Sequence, residues 1–116
     1  MKKLIFTGFF ILLGVFAFAQ NLPSVRVVNS TGYSIYYIHI SPANNDYWGS
    51  DILGEEEILE NGQTLIFDLT QTLDLVNVYD ILLIDEEYRT YSKMGITMTN
   101  NARIVFTIDD LEDTVE

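Results

Sequence analysis

Cysteine is absent, histidine occurs once, and basic side chains are scarce: six Lys and Arg stand against 17 Asp and Glu, for a net charge of −11. Without cysteine there is no disulfide, no thiolate nucleophile, no cysteine metal site and no lipidated N-terminal cysteine. The shortage of positive charge excludes the cationic face that nucleic-acid phosphates require. It also argues against electrostatic docking on an anionic membrane. Phosphate-cradling G-x-x-x-x-G-K-[ST] and G-x-G-x-x-G loops are missing, as are G-x-S-x-G and H-E-x-x-H frames. No internal repeat, low-complexity run or linker divides the 116 residues, which suffice for one domain.

The chain begins with the three parts of a secretion signal. Lys2 and Lys3 form a positive start, Leu4–Phe16 an apolar stretch, and Ala17-Phe18-Ala19 an A-x-A cleavage site. That apolar stretch is shorter than the ~20 residues of a membrane anchor. The expectation is a signal peptide over 1–19, cleavage before Gln20, and a single exported domain over 20–116. Such a domain is periplasmic or secreted and keeps no stable membrane anchor. Losing Lys2 and Lys3 and no acid deepens the charge from −11 to −13. Export compartments permit disulfides. A domain that forgoes them relies on its core, on an ion or on a second copy of itself.

Five of the seven phenylalanines lie in the signal, whereas all seven tyrosines and Trp48 lie beyond it. The mature chain is rich in Val, Ile and Thr and keeps only Ala43 and Ala102. Such a composition suits pleated strands and disfavours helix. Strands are expected at Val25–Asn29, at Tyr33–Ser41 (apolar on both faces, hence central) and at Gln63–Leu69. In the last of these Leu65, Phe67 and Leu69 face inward. Leu75–Ile84 is a second central candidate, paired through the Asp85-Glu86-Glu87 turn with Tyr88–Ser92. Ile96–Met98 and Arg103–Ile108 flank an Asn100-Asn101 turn. Glu55–Glu60 reads as one helical turn or an edge strand, and Asn61-Gly62 as a tight turn. Asp109–Glu116 reads as a frayed acidic tail. The fold class that follows is all-β, an antiparallel β-sandwich or Greek-key barrel of about seven strands.

Three groups of residues invite a functional reading. His39 falls mid-strand on the face of Tyr33, Ile35 and Tyr37, with no nucleophile frame around it. A half-buried strand histidine bonded to a neighbour is the simpler reading, and catalytic residues are not expected. Asp46, Asp51 and Glu55 crowd the long Pro42–Gly54 connection and its exit. They read first as solvated charge. Alternatively, with Asn44 and Asn45, they supply oxygen ligands for Ca²⁺, without the D-x-[DN]-x-[DN]-G frame of an EF-hand. Tyr47 and Trp48, beside Gly49, form either a plug for one end of the sandwich or an exposed recognition anchor.

The run Asn29-Ser30-Thr31-Gly32 leading to Ile35, then Ser41-Pro42, then Trp48-Gly49-Ser50-Asp51-Ile52-Leu53-Gly54 carries a resemblance. It resembles a family of small exported bacterial domains with the pattern N-x-T-G-x-x-I, S-P, W-G-x-D-x-L-G. Leu59, Gly62 and Tyr79-Asp80-Ile81-Leu82 followed by Asp85 extend the likeness over about Val25 to Tyr88. The resemblance implies a shared fold and a shared role for Trp48, Asp51 and Gly54, and no activity or cofactor. The Asp85-Glu86-Glu87 turn departs from the D-x-D-G turn expected at that point. The reading reached is an exported noncatalytic domain that binds an unknown protein or surface ligand, basic in character. Tyr47, Trp48 and Asp51 are its candidate binding residues. A Ca²⁺-assisted structural or adhesive module is the alternative. Unpaired edge strands leave homo-oligomers open.

Overall fold

The computed structural model describes residues 22–69 and 76–112. The segment expected to be a signal (1–19), the start of the Leu75–Ile84 segment and the last four residues of the tail lie outside them. Six strands follow in order: β1 Ser24–Ser30, β2 Ile35–Pro42, β3 Thr64–Asp68, β4 Val78–Asp85, β5 Thr90–Thr97 and β6 Ala102–Thr107. They form two three-stranded sheets, ordered β3-β1-β6 and β2-β4-β5. The all-β sandwich expected from composition is therefore the fold. Among the described residues, no helix is long and apolar enough to cross a membrane.

Side-chain alternation builds the core. In β4 the residues Tyr79, Ile81, Leu83 and Asp85 are buried, while Val78, Asp80, Leu82 and Ile84 face partly outward. Val25, Val27 and Phe106 of the first sheet meet Ile35, Ile38, Ile81, Leu83 and Tyr91 of the second in one apolar cluster. Each fully buried aliphatic side chain there contributes roughly 1.5–3 kcal/mol. β3 alternates as expected, with Leu65, Phe67 and Leu69 turned inward and Ile66 and Asp68 outward.

Several sequence expectations need correction. Tyr88–Ser92 and Ile96–Met98 are not two strands, because one strand, β5, runs from Thr90 to Thr97 through parts of both. A bulge absorbs the mismatch: the pairing steps from Ile81↔Lys93 to Tyr79↔Ile96. Gly95 takes φ +66° there and donates its N–H to Asp80 Oδ1 at 2.7 Å. Bulges of this kind extend a strand while bending it. The Asn100-Asn101 turn does not close a hairpin. It carries the chain to the other sheet, where β6 runs parallel to β1, so the sandwich is not wholly antiparallel. Asn100 Oδ1 accepts the Ser24 N–H and Asn101 donates to the Ser24 carbonyl, docking the turn on β1.

β2 is an edge strand and β4 the central one. A second bulge lies between Ile35 and Tyr37. It turns Ile35 and Ile38 both into the core and leaves Tyr37 and His39 on the outer face. An uninterrupted alternation would have kept Ile35 with Tyr37 and His39. The outer edge of β2 is covered by the following loop: Ile35 exchanges two backbone bonds with Leu59, and Ile52 donates to the Ile38 carbonyl. Glu55–Glu60 is thus a turn ending in a single bridge. The described part of the acidic tail is pinned rather than frayed. Thr107 and Asp110 form a capping box around a 3₁₀ turn at Ile108–Asp110. Leu111 then bridges Tyr91, and Glu112 accepts from the Thr90 and Ser92 hydroxyls.

Candidate functional site

The N-x-T-G run is consumed by structure. Asn29 is fully buried, and its amide donates to the carbonyls of Tyr33 and Leu59 at 2.7 and 2.9 Å. Its Oδ1 accepts from the Thr31 N–H and hydroxyl. Gly32, at φ +93°, donates to Asn61 Oδ1. The Asn61-Gly62 turn is bound to the same clasp, because Gly62 donates to the Asn29 carbonyl at 2.6 Å.

The W-G-x-D-x-L-G run does something different. Asp51 pairs with His39 along the edge of β2 and is 6% exposed. Its Oδ1 accepts the backbone N–H groups of Ile38 and Leu53 at 2.9 and 3.0 Å. Its Oδ2 is buried and has no hydrogen-bond partner. A buried oxygen left in that state costs roughly 1–3 kcal/mol. Gly49 passes close to β2, where an added Cβ would sit 3.1 Å from the Ile40 carbonyl. That approach lets the Gly49 carbonyl meet His39 Nδ1 at 2.8 Å. A carbonyl can only accept, so Nδ1 carries the hydrogen, and in the neutral ring Nε2 holds a free lone pair.

Asp51, His39, Gly49 and Ser50 form one side of an open groove of about 540 Å³ on the outer face of the second sheet. Tyr37, Ile84 and Tyr88 form the rest. Tyr37 and Ile84 are direct partners across β2 and β4. Tyr88 arrives from the β4–β5 turn. Asp85 accepts its N–H at the carbonyl oxygen, in a tight three-residue loop. Tyr88 itself takes φ +64°, in the left-handed region. Loops of this kind place glycine there, and a bulky residue pays roughly 1–2 kcal/mol. Tyr88 nonetheless stays 73% exposed, so burial does not offset the strain.

The turn is held by Asp85, which is fully buried. Its Oδ1 accepts the Glu87 and Arg89 N–H groups, and Oδ2 accepts from Arg89 Nε and the Tyr91 hydroxyl. Arg89 Nη2 also lies 2.9 Å from Oδ2, as an ion-pair contact rather than an aligned hydrogen bond. The guanidinium stacks over Tyr33 at 4.0 Å. Burial alone would raise the Asp85 pKa, but the Arg89 N–H, Tyr91 hydroxyl, Glu87 N–H and Arg89 side chain together hold it below the usual range. Burial, and then the Asp85 carboxylate, push the Tyr91 hydroxyl up to about 12.

Of the residues singled out in the sequence, Asp51 and His39 come together in the groove. Tyr47 is 81% exposed and Trp48 half-buried, and neither lines the groove. Asp46 and Glu55 are exposed while Asp51 is buried. Among the described residues, no three acidic or histidine side chains gather as a metal group. In the sequence Tyr37 and Tyr88 read, with Tyr36 and Tyr91, as an aromatic patch or, more simply, as cross-strand packing; Tyr37 and Tyr88 line the groove, and Tyr36 and Tyr91 do not. Tyr88 did leave a signal, since it occupies the glycine place of the D-x-D-G turn from which this chain departs. Ser50, His39 and Asp51 share the groove without forming a triad. His39 Nδ1 is committed to the Gly49 carbonyl, Asp51 Oδ1 to backbone N–H groups, and no hydrogen bond joins Ser50 to His39 among the described residues.

No protein-family model matches the chain, and no curated protein matches it. Among solved structures, the NMR structure of a protein from Eubacterium rectale superposes with a TM-score of 0.57 at 13% identity. The match covers 77% of this chain and 82% of that one. At such low identity the likeness is one of fold.

Proposed function

We propose that the protein is an exported, noncatalytic β-sandwich domain that binds a ligand in the groove between the Asp51 loop and the Tyr88 turn. The observation that carries this reading is the pairing of two costs at one place. Asp51 keeps a buried carboxylate oxygen without a partner, and Tyr88 keeps a left-handed backbone without burial of its ring. Neither cost is returned by the fold, and strain and unpaired polar atoms collect at functional sites. Among the described residues, His39 Nδ1 and Asp51 Oδ1 are both committed to backbone groups, which favours a binding role for the groove. Export rests on the signal-like segment at residues 1–19 and on the acidity that keeps a secreted domain soluble.

The test is a small-fragment screen of the mature chain by ¹H–¹⁵N NMR. The expected result is that hits shift the amides of His39, Ser50, Asp51 and Tyr88 together. Hits scattered over the surface, with those four amides unmoved, refute the reading. Export is checked separately, by cell fractionation and by a mature mass beginning at Gln20.

A further inference from the structure

The groove displays acceptors and aromatic surface, with no cation to balance them. Asp51 stands in its wall as a buried carboxylate, 6% exposed, whose Oδ2 has no partner; His39 adds a free Nε2, and Tyr37 and Tyr88 line the rest. No Lys or Arg lines the groove. The mature chain has four Lys and Arg, and the structure assigns each elsewhere. Arg89 is held by Asp85 and Tyr33. Lys93 is held by Asp110 at 3.1 Å and lies over Phe106. Arg26 and Arg103 sit opposite each other on β1 and β6, in the other sheet. No cation of the described residues therefore answers Asp51.

A half-sealed carboxylate beside tyrosines and an aliphatic side chain is the chemistry that holds an organic cation. The charge is met at short range by the carboxylate in the wall, the N–H donors by His39 Nε2 and the tyrosine hydroxyls, and the alkyl stem by aromatic and Ile84 surface. We infer that the groove binds the cationic end of a lysine-like or arginine-like side chain, as presented by a basic polypeptide. This rests on the groove being a binding site at all. It is consistent with a chain charge of −11, which draws basic partners and repels acidic ones. Tyr88 then has its purpose: the left-handed turn holds an exposed ring at the mouth, over the stem of the bound side chain.

The experiment titrates the mature chain with four probes by ¹H–¹⁵N NMR: the N-acetyl amides of lysine, arginine and norleucine, and methyl glucoside. The lysine and arginine amides are expected to shift His39, Ser50, Asp51 and Tyr88 saturably. Asp51→Asn is expected to weaken them about tenfold or more, and raising salt to weaken them further. Asparagine retains the oxygen that receives the Ile38 and Leu53 N–H groups. Should that variant unfold, Tyr88→Gly serves instead. It relieves the φ +64° backbone, so it is expected to stay folded while losing affinity for both cationic probes. Equal binding of the norleucine amide, or cationic binding unchanged in the folded variants, overturns the inference. If only norleucine amide or methyl glucoside moves those amides, the groove remains a binding site and the cation assignment fails. If no probe moves them, the cation assignment fails, and the fragment screen decides the groove.

Discussion

Replacing Asp85 by alanine is the most informative perturbation of the turn that carries Tyr88. The carboxylate is fully buried and receives two backbone N–H groups, the Tyr91 hydroxyl and the Arg89 guanidinium. Removing one partner of such a buried pair costs about 3–5 kcal/mol. Domains of this size hold only about 5–15 kcal/mol in total, so Asp85→Ala approaches the limit of folding. Asp85→Asn keeps an oxygen for the Glu87 and Arg89 N–H groups, each worth about 1 kcal/mol. It should lose about 2 kcal/mol less than alanine. Urea unfolding of the mature chain, followed by Trp48 fluorescence, measures both. An alanine variant that loses less than about 1 kcal/mol, or an asparagine variant no better than alanine, refutes the reasoning.

The pH dependence follows from the same cluster. Asp85 has a lowered pKa in the folded state, so its contribution is complete above the unfolded value of about 3.9 and fades as pH falls through the folded one. Glu112, lowered by the Ser92 and Thr90 hydroxyls, acts with the same sign. Tyr91 is raised from 10.0 to about 12. Its contribution is complete below pH 10 and is lost as pH rises toward 12. Wild type should therefore lose stability at both extremes, and Asp85→Ala should make both limbs shallower without removing them, because burial still raises Tyr91 and Glu112 still titrates; an unchanged alkaline limb would contradict the Asp85–Tyr91 link.

Asn29→Asp sets a carboxylate oxygen against the Tyr33 and Leu59 carbonyls that now accept from the amide. It should cost about 2–4 kcal/mol in urea unfolding, and a neutral result would mean that the clasp is not needed. The Tyr79 hydroxyl is buried without a partner, so Tyr79→Phe should leave the melting temperature unchanged or raise it, whereas Tyr91→Phe should lower it. Equal losses from the two would contradict the hydrogen-bond assignment.

The fold class was legible because strand composition and alternation are local. β3 shows its buried face residue by residue, and the apolar run of β4 reads as central. What escaped depended on partners distant in sequence. The bulge at Tyr36, which separates Ile35 from Tyr37 and His39, is visible only once β4 is in place. The parallel pairing of β6 with β1 depends on Asn100 and Asn101 docking on Ser24, far away in the chain. Asp85 reads as one of three adjacent turn acids, since nothing local announces that Arg89 and Tyr91 fold back on it. The site was half legible. Asp51 stood out in its motif and His39 as the single histidine, but the sheet brings Tyr37 to them and a glycine-type turn brings Tyr88.

The most direct test is an intermolecular NOE experiment on the mature chain with the N-acetyl amide of lysine. Contacts are expected from the ε-methylene protons of the probe to the rings of Tyr37 and Tyr88 and to His39. Contacts confined to Tyr47 and Trp48, or none to the groove at saturating probe, would contradict that expectation.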